Sequence, residues 1–205
     1  MGNDPFADDV VLLLMMEGED GSTTFIDTGT GARTITRSGT CVISTAEKYS
    51  GSSSYLGNVN SRLDFPEVVF PGDFTVEMFL RATSLSGIRA FTGHTGGNRQ
   101  MRLSPNLFVY YDGASICNRT PTQGAPLIDT WYHFAWTREG TLHRVFWNGV
   151  EQSSLALGGN IALNVIGAGY VGGNQWPGYI DAVRFTAACR YTEDFEMPDG
   201  VWIAP

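Results

Sequence analysis

The chain has 205 residues, of which 42% are hydrophobic and 17% charged, with 13 basic against 21 acidic side chains and a formal charge of −8. That apolar content is too high for a disordered chain, and the length suits one all-β domain. With no clustered Lys/Arg stripe, the acidic balance argues against nucleic acid as a partner.

Residues 1–9 read as an N-terminal arm. Val10–Met16 is the longest apolar run. It is too short to span a bilayer and lacks the basic flank and cleavage-like tail of a signal peptide, so a buried first strand is expected and membrane insertion is not. Gly18–Gly31 is an acidic, glycine-rich segment around a short strand at Thr24–Ile26. Thr34–Ser44 alternates as a strand or bent hairpin. Tyr55–Leu56 and Arg62–Phe65 are short strands before the turn Pro71-Gly72-Asp73.

Phe74–Arg81 alternates most cleanly: Phe74, Val76, Met78 and Leu80 face one side, Thr75, Glu77, Phe79 and Arg81 the other. Ile88–Thr92 and Gln100–Leu103 flank a polar loop, His94–Arg99. Leu107–Tyr111 and Ser115–Arg119 form a hairpin across Asp112-Gly113. Thr130–Val150 then reads as three antiparallel strands separated by Glu139-Gly140 and Asn148-Gly149. An Asn-Gly pair between apolar runs is a strong hairpin signal, because both central residues of a type I′ turn need positive φ. The aromatic density there suits a broad sheet with one packed and one partly exposed face. Gly167–Gly172 and Tyr179–Phe185 supply the final strands, and Tyr191–Pro205 closes the chain. No helix-length amphipathic stretch, repeat or linker is present. Many short strands with frequent turns predict an all-β, two-sheet antiparallel sandwich or jelly roll.

Cys41, Cys117 and Cys189 stand far apart with no CxxC spacing, which argues against zinc. Their odd number and the lack of a leader favour buried thiols, with a single disulfide as the alternative.

FTVEMFLR (Phe74–Arg81), WYHFAWTREG (Trp131–Gly140), FWNGV (Phe146–Val150) and GYIDAVRF (Gly178–Phe185) resemble the laminin-G-like, concanavalin A-like jelly rolls. The likeness runs in order over residues 10–198, leaving 199–205 as a C-terminal tail. The opening VVLLLMMEGEDGSTTFIDTGTG and the closing CRYTEDFEMP look like the variant found in tailed-bacteriophage virion proteins. The resemblance implies recognition of glycans or proteins rather than catalysis, and in some relatives a structural calcium at the sandwich rim. The last strand carries Asp181-Ala182 where a doubled acid is common, which weakens the calcium inference.

A glycosidase of this general fold needs two carboxylates on one strand face. Glu77 stands alone in its strand, Glu67 lies before a turn, and Glu17, Glu19 and Asp20 have no aromatic sugar platform beside them. His133 sits within a strand, where a structural role is expected, and His94 and His143 lack spaced metal-binding companions. Calcium is the one cofactor the sequence suggests, with Asp20, Asp27 and Asp181 as its oxygen donors; their alternative role is to accept hydrogen bonds from backbone amides at turns. Sugar binding is the favoured chemistry, since sugar CH faces stack on aromatic rings while polar side chains bind the hydroxyls. Two loop groups offer that mix: His94, Asn98 and Arg99 with Tyr110, Tyr111 and Asp112, and Asn174 and Gln175 with Trp176. For Trp176 the alternative is to plug the end of the sandwich.

The expected function is a non-catalytic surface module of a phage virion, synthesised in the host cytoplasm and present in many copies or as a homo-oligomer. It would bind bacterial surface polysaccharide as an adhesin or decoration protein. A purely structural capsid or tail subunit contacting other virion proteins is the runner-up, and a glycan-degrading hydrolase a remoter third.

Overall fold

Hairpin turns and alternation draw the chain into two antiparallel sheets. Asn148 and Gly149 take φ of +48° and +77°, and Asp112 and Gly113 +43° and +96°. This is the left-handed pair that a two-residue hairpin requires. The computed structural model of the chain describes residues 4–58, 60–97, 99–104, 106–169 and 174–202. Among them, one 3₁₀ turn at Ala7–Asp9 precedes fifteen strands.

The first six strands are β1 (Val10–Leu14), β2 (Thr36–Ser38), β3 (Val42–Ser44), β4 (Ser54–Gly57), β5 (Arg62–Phe70) and β6 (Phe74–Ala82). Two hairpins follow: β7 (Arg89–His94) with β8 (Arg99–Ser104), then β9 (Asn106–Tyr111) with β10 (Ala114–Arg119). The meander is β11 (Trp131–Glu139), β12 (Leu142–Trp147) and β13 (Val150–Ala156), and β14 (Ile161–Ile166) and β15 (Gly178–Thr186) complete the set. One sheet runs β13-β12-β11-β6-β15-β4-β3, with β1 paired to β15 beyond β4; the other runs β10-β9-β8-β7-β14-β5-β2. The all-β sandwich expected from the pattern is the fold observed.

Between the sheets, Phe74, Val76, Met78 and Leu80 of β6 join Phe134 and Trp136 of β11, Phe91 of β7, Val109 of β9 and Leu163 of β14 in one buried cluster. Each such side chain removed from water contributes roughly 1.5–3 kcal/mol. Buried Cys41 and Cys117, and half-buried Cys189, are unpaired thiols.

The alternation of β6 is confirmed, but its second face is not exposed. Thr75, Glu77 and Phe79 are all fully buried, because the two ends of the chain lie across the larger sheet. Val10, Leu13 and Trp202 pack on Phe79, and Tyr49 stacks on the same ring at 3.7 Å. Phe195 packs edge-on to His133 and Phe146. The Phe195 N–H donates to the Gly149 carbonyl at 2.9 Å, and a Cβ on Gly149 would come 2.0 Å from the Phe195 carbonyl oxygen. Asp4, from the N-terminal arm, pairs with Arg184 and Arg190.

Three local expectations change. Thr34–Ser44 is neither one strand nor one hairpin: β2 and β3 lie in different sheets, and the chain crosses between them through Gly39 at φ +80°. Thr24–Ile26 makes only an isolated bridge, Ile26 to Thr34. The strand expected at Gly167–Gly172 is instead Ile161–Ile166, because Gly167 turns away at φ +80°; residues 170–172 lie outside the described residues. No described helix is long and apolar enough to cross a membrane.

Candidate functional site

With the larger sheet covered by the chain ends, the outer face of the seven-stranded sheet is the open one. Strand β9 alternates strictly: Leu107, Val109 and Tyr111 enter the core, while Asn106, Phe108 and Tyr110 point outward and stay half-buried. The Phe108 and Tyr110 rings are stacked, with centroids 5.7 Å apart and planes 9° from parallel. Antiparallel register sets Arg102 and Asn118 opposite Phe108, and Gln100 and Ser115 opposite Tyr110. The Arg102 guanidinium lies 4.2 Å from the Phe108 ring centroid, a cation–π contact. Burial lowers the Arg102 pKa, and its Nε is buried without a hydrogen-bond partner among the described residues. A carbonyl at Asn174 accepts the Ala90 N–H at 2.6 Å. Gly169 is so close that an added Cβ would sit 2.9 Å from the Cβ atoms of Ala90 and Gln100. Residues on both sides of the β14–β15 connection therefore border this surface at β7 and β8.

At the tips of the β7–β8 and β9–β10 hairpins, register pairs His94 with Arg99 and Arg99 with Tyr111. Arg99 binds Asp112 through two hydrogen bonds, of 2.9 and 2.7 Å. That contact raises the Arg99 pKa and lowers that of Asp112. His94 Nε2 meets the Glu67 carboxylate at 2.5 Å. These partners fix the hairpin tips and already occupy one another's charge.

The structure thus brings His94, Arg99, Tyr111 and Asp112 together and sets Tyr110 on the adjoining face, with Asn174 and Gln175 half-buried at the far side of β7. Asn98 lies outside the described residues. Two expected platforms are corrected. Trp176 is 1% exposed; its ring meets Phe91 edge-on and its Nε1 donates to the Tyr179 carbonyl at 3.1 Å. Tyr111 is 4% exposed; its hydroxyl donates to the Asn160 carbonyl at 3.2 Å and accepts the Ala162 N–H at 2.7 Å. Both rings plug the sandwich interior, where apolar burial outweighs any use at the surface.

The calcium grouping of Asp20, Asp27 and Asp181 is corrected as well. Asp20 accepts the Thr45 N–H, while Asp27 accepts those of Leu13, Gly29 and Arg33. Asp181 accepts from Tyr49, Ser50 and Ala182. Each carboxylate secures a different stretch of backbone, and among the described residues no three His, Cys, Asp or Glu side chains converge as a metal-binding group. Glu77, solitary in the sequence, is buried against Arg184 and His133.

Phe108 and Arg102 were not singled out from the sequence. Their signal was the period-two pattern of NLFVYY, which places Phe108 with Tyr110 on the face opposite Leu107 and Val109.

A family model described as the concanavalin A-like lectin/glucanases superfamily, Laminin_G_3, matches residues 56–193. Among solved structures, the chain is similar to domain 4 of AbnA, an extracellular GH43 arabinanase from Geobacillus stearothermophilus, in complex with arabinotriose. The TM-score is 0.65 at 19% identity, covering 88% of this chain and 93% of that one. It is also similar to the binding domain of botulinum neurotoxin serotype G, with TM-score 0.58 and 11% identity over 89% of this chain and 48% of that one. A third is botulinum neurotoxin type C, whose cell entry depends on interaction with two ganglioside molecules, with TM-score 0.58 and 10% identity over 91% of this chain and 49% of that one. The chain spans about half the length of both neurotoxin chains. A comparison with curated proteins found no match. At these identities the likeness to solved structures is one of fold alone.

Proposed function

Because this chain belongs to the Laminin_G_3 family of the concanavalin A-like lectin/glucanases superfamily, we propose that it is a non-catalytic carbohydrate-recognition module working from the open face of its seven-stranded sheet. The observation that carries this reading is the outward Phe108–Tyr110 stack, flanked by Arg102 and Asn118 on the neighbouring strands. Aromatic rings give sugar CH groups an apolar surface, and the flanking side chains supply hydrogen bonds to hydroxyls. The similar arabinanase domain was solved with arabinotriose, and cell entry of the similar type C neurotoxin depends on interaction with two ganglioside molecules, which supports a saccharide partner for this chain.

The non-catalytic part of the reading rests on the state of the carboxylates. Glycoside hydrolysis needs an acid and a second carboxylate free to act on one bond. On this sheet Asp64 is held by Arg62, Glu67 by His94 and Asp112 by Arg99.

The opening and closing segments resemble those of tailed-phage virion proteins, and on that basis the module belongs on a virion surface as an adhesin or decoration protein. Weak single-site affinity would there be multiplied by copy number. The opening segment contributes β1 to the larger sheet, and the closing one lays Tyr191 and Phe195 across that sheet, which leaves the seven-stranded face for ligand.

The test is binding of the purified protein to immobilised bacterial polysaccharides and a glycan array, beside the Phe108→Ala/Tyr110→Ala double variant. Saturable binding that the variant loses while it still unfolds cooperatively, with a melting temperature lowered by only a few degrees, supports the reading. A protein that binds no glycan yet occupies a stoichiometric place on a particle is a structural subunit, and its exposed rings are then protein contacts.

A further inference from the structure

Of the four arginines from Arg89 to Arg119, register sets Arg102 opposite Phe108 on the outer face, whereas Arg99 lies opposite Tyr111, Arg119 opposite Leu107 and Arg89 opposite Leu103, the positions that turn to the core. Asp112 is taken by Arg99. Arg119 and Arg89 donate to the backbone carbonyls of Gln152 and Ile88. Arg102 has no carboxylate partner among the described residues: its guanidinium lies on the Phe108 ring and its Nε is shielded from solvent.

A partly desolvated cation without a counter-ion is costly, and the cost falls when an anion docks beside it. Guanidinium geometry selects the anion. Its planar fork matches a carboxylate, which it can grip through two parallel hydrogen bonds. A saccharide lying on the Phe108–Tyr110 stack would carry such a group within reach of Arg102 if one of its sugars were a uronic acid.

We propose that the ligand is an acidic saccharide, bound through a uronic acid carboxylate at Arg102 while the sugar rests on Phe108 and Tyr110. This rests on the carbohydrate-recognition reading above and adds the chemical class of the ligand. The paired Arg99 takes no part in it, and the terminal nitrogens of Arg102 are the donors.

The test uses the whole chain and a panel of uronate polysaccharides, namely alginate, polygalacturonate and hyaluronate, each beside its carboxyl-reduced form. Carboxyl reduction removes the charge and keeps the sugar ring, so the comparison does not depend on any variant folding. The expected result is binding to at least one acidic polymer that weakens roughly tenfold or more on reduction. Arg102→Gln should abolish that difference with an unchanged melting temperature, and Arg102→Lys, which restores the charge without the fork, should recover only part of it. Equal binding of acidic and reduced forms, or undiminished discrimination in Arg102→Gln, overturns the carboxylate assignment and leaves carbohydrate recognition standing. If the protein binds neither these polymers nor any glycan of the array, both readings fall.

Discussion

Glu77 and Arg184 face each other across β6 and β15 at 2.8 Å, with the carboxylate wholly removed from solvent. Glu77 also meets His133 Nε2 at 3.2 Å and accepts the Tyr191 hydroxyl at 3.0 Å. Burial by itself would push its pKa up, but Arg184, His133 and Arg190 hold it down at about 2. Breaking a buried pair strands the surviving charge, at a cost of about 3–5 kcal/mol. Glu77→Gln is therefore expected to lower the free energy of unfolding by that amount, read from the shift of the urea midpoint. Asp64→Asn, at the half-exposed Arg62–Asp64 pair, should cost less, about 1 kcal/mol. Equal effects would show that the Glu77 cluster holds nothing together.

The same cluster and Asp181 set opposite limbs of the pH profile. A depressed folded pKa stabilises above the ordinary glutamate value and loses that contribution as pH falls through about 2, so Glu77 drives acid unfolding. Asp181 is raised to about 6 by burial, against the Ser50, Tyr49 and Ala182 amides that favour its charge. A raised acid is stabilising while protonated, below its ordinary value near ~4, and that stability is lost as pH rises through about 6. The drop is about 2–3 kcal/mol. In Asp181→Asn the fall between pH ~4 and ~6 should vanish from denaturant melts taken across pH. The variant should also lose hydrogen bonding, since Asn has one acceptor oxygen where Asp181 uses two, Oδ2 for the Tyr49 and Ser50 N–H groups and Oδ1 for that of Ala182. Persistence of the slope would assign it to other groups.

Much of this architecture was legible because its signals are local. FTVEMFLR and the Asn148-Gly149 turn contain, within a few residues, the alternation and the positive φ that define a strand and a hairpin. What escaped is non-local. Nothing near Glu77 in sequence announces Arg184, which the pairing of β15 with β6 sets opposite it, or Tyr191, which reaches it only after the chain end folds across the sheet. Trp176 looked exposed because its loop is glycine-rich, yet loop composition does not fix which way one ring turns; Phe91 and the Tyr179 carbonyl do. IALNVI at β14 is apolar almost throughout, so periodicity gave no face and no boundary. Phe108 was within reach of the same alternation argument that succeeded for β6.

Asp20, Asp27 and Asp181 also yield a prediction about calcium. A hard cation needs several oxygens converging on one point, whereas these three already accept backbone N–H groups in separate places. Titrating Ca²⁺ into chelator-treated protein is expected to give no binding heat and no rise in melting temperature, since only a ligand that prefers the folded state raises it. A saturable heat lost in Asp27→Asn or Asp181→Asn would restore the rim calcium that the family resemblance implies.

Trp176 and Phe108 should part company when each is truncated to alanine. Trp176 is sealed in the core against Phe91, so its removal leaves a cavity and should cost about 3–5 kcal/mol of stability. Phe108 is half-exposed on the open sheet, and its loss should cost far less, on the order of 1 kcal/mol, chiefly from the contacts to Tyr110 and Arg102. Ligand binding should show the reverse order: Phe108→Ala weakens polysaccharide binding roughly tenfold or more, while Trp176→Ala, measured well below its lowered melting temperature, keeps most of its affinity. Denaturant melts and binding isotherms on the two variants decide this. If Trp176→Ala stays fully stable and loses binding while Phe108→Ala binds normally, the ligand face belongs at the β14–β15 loop rather than on β9.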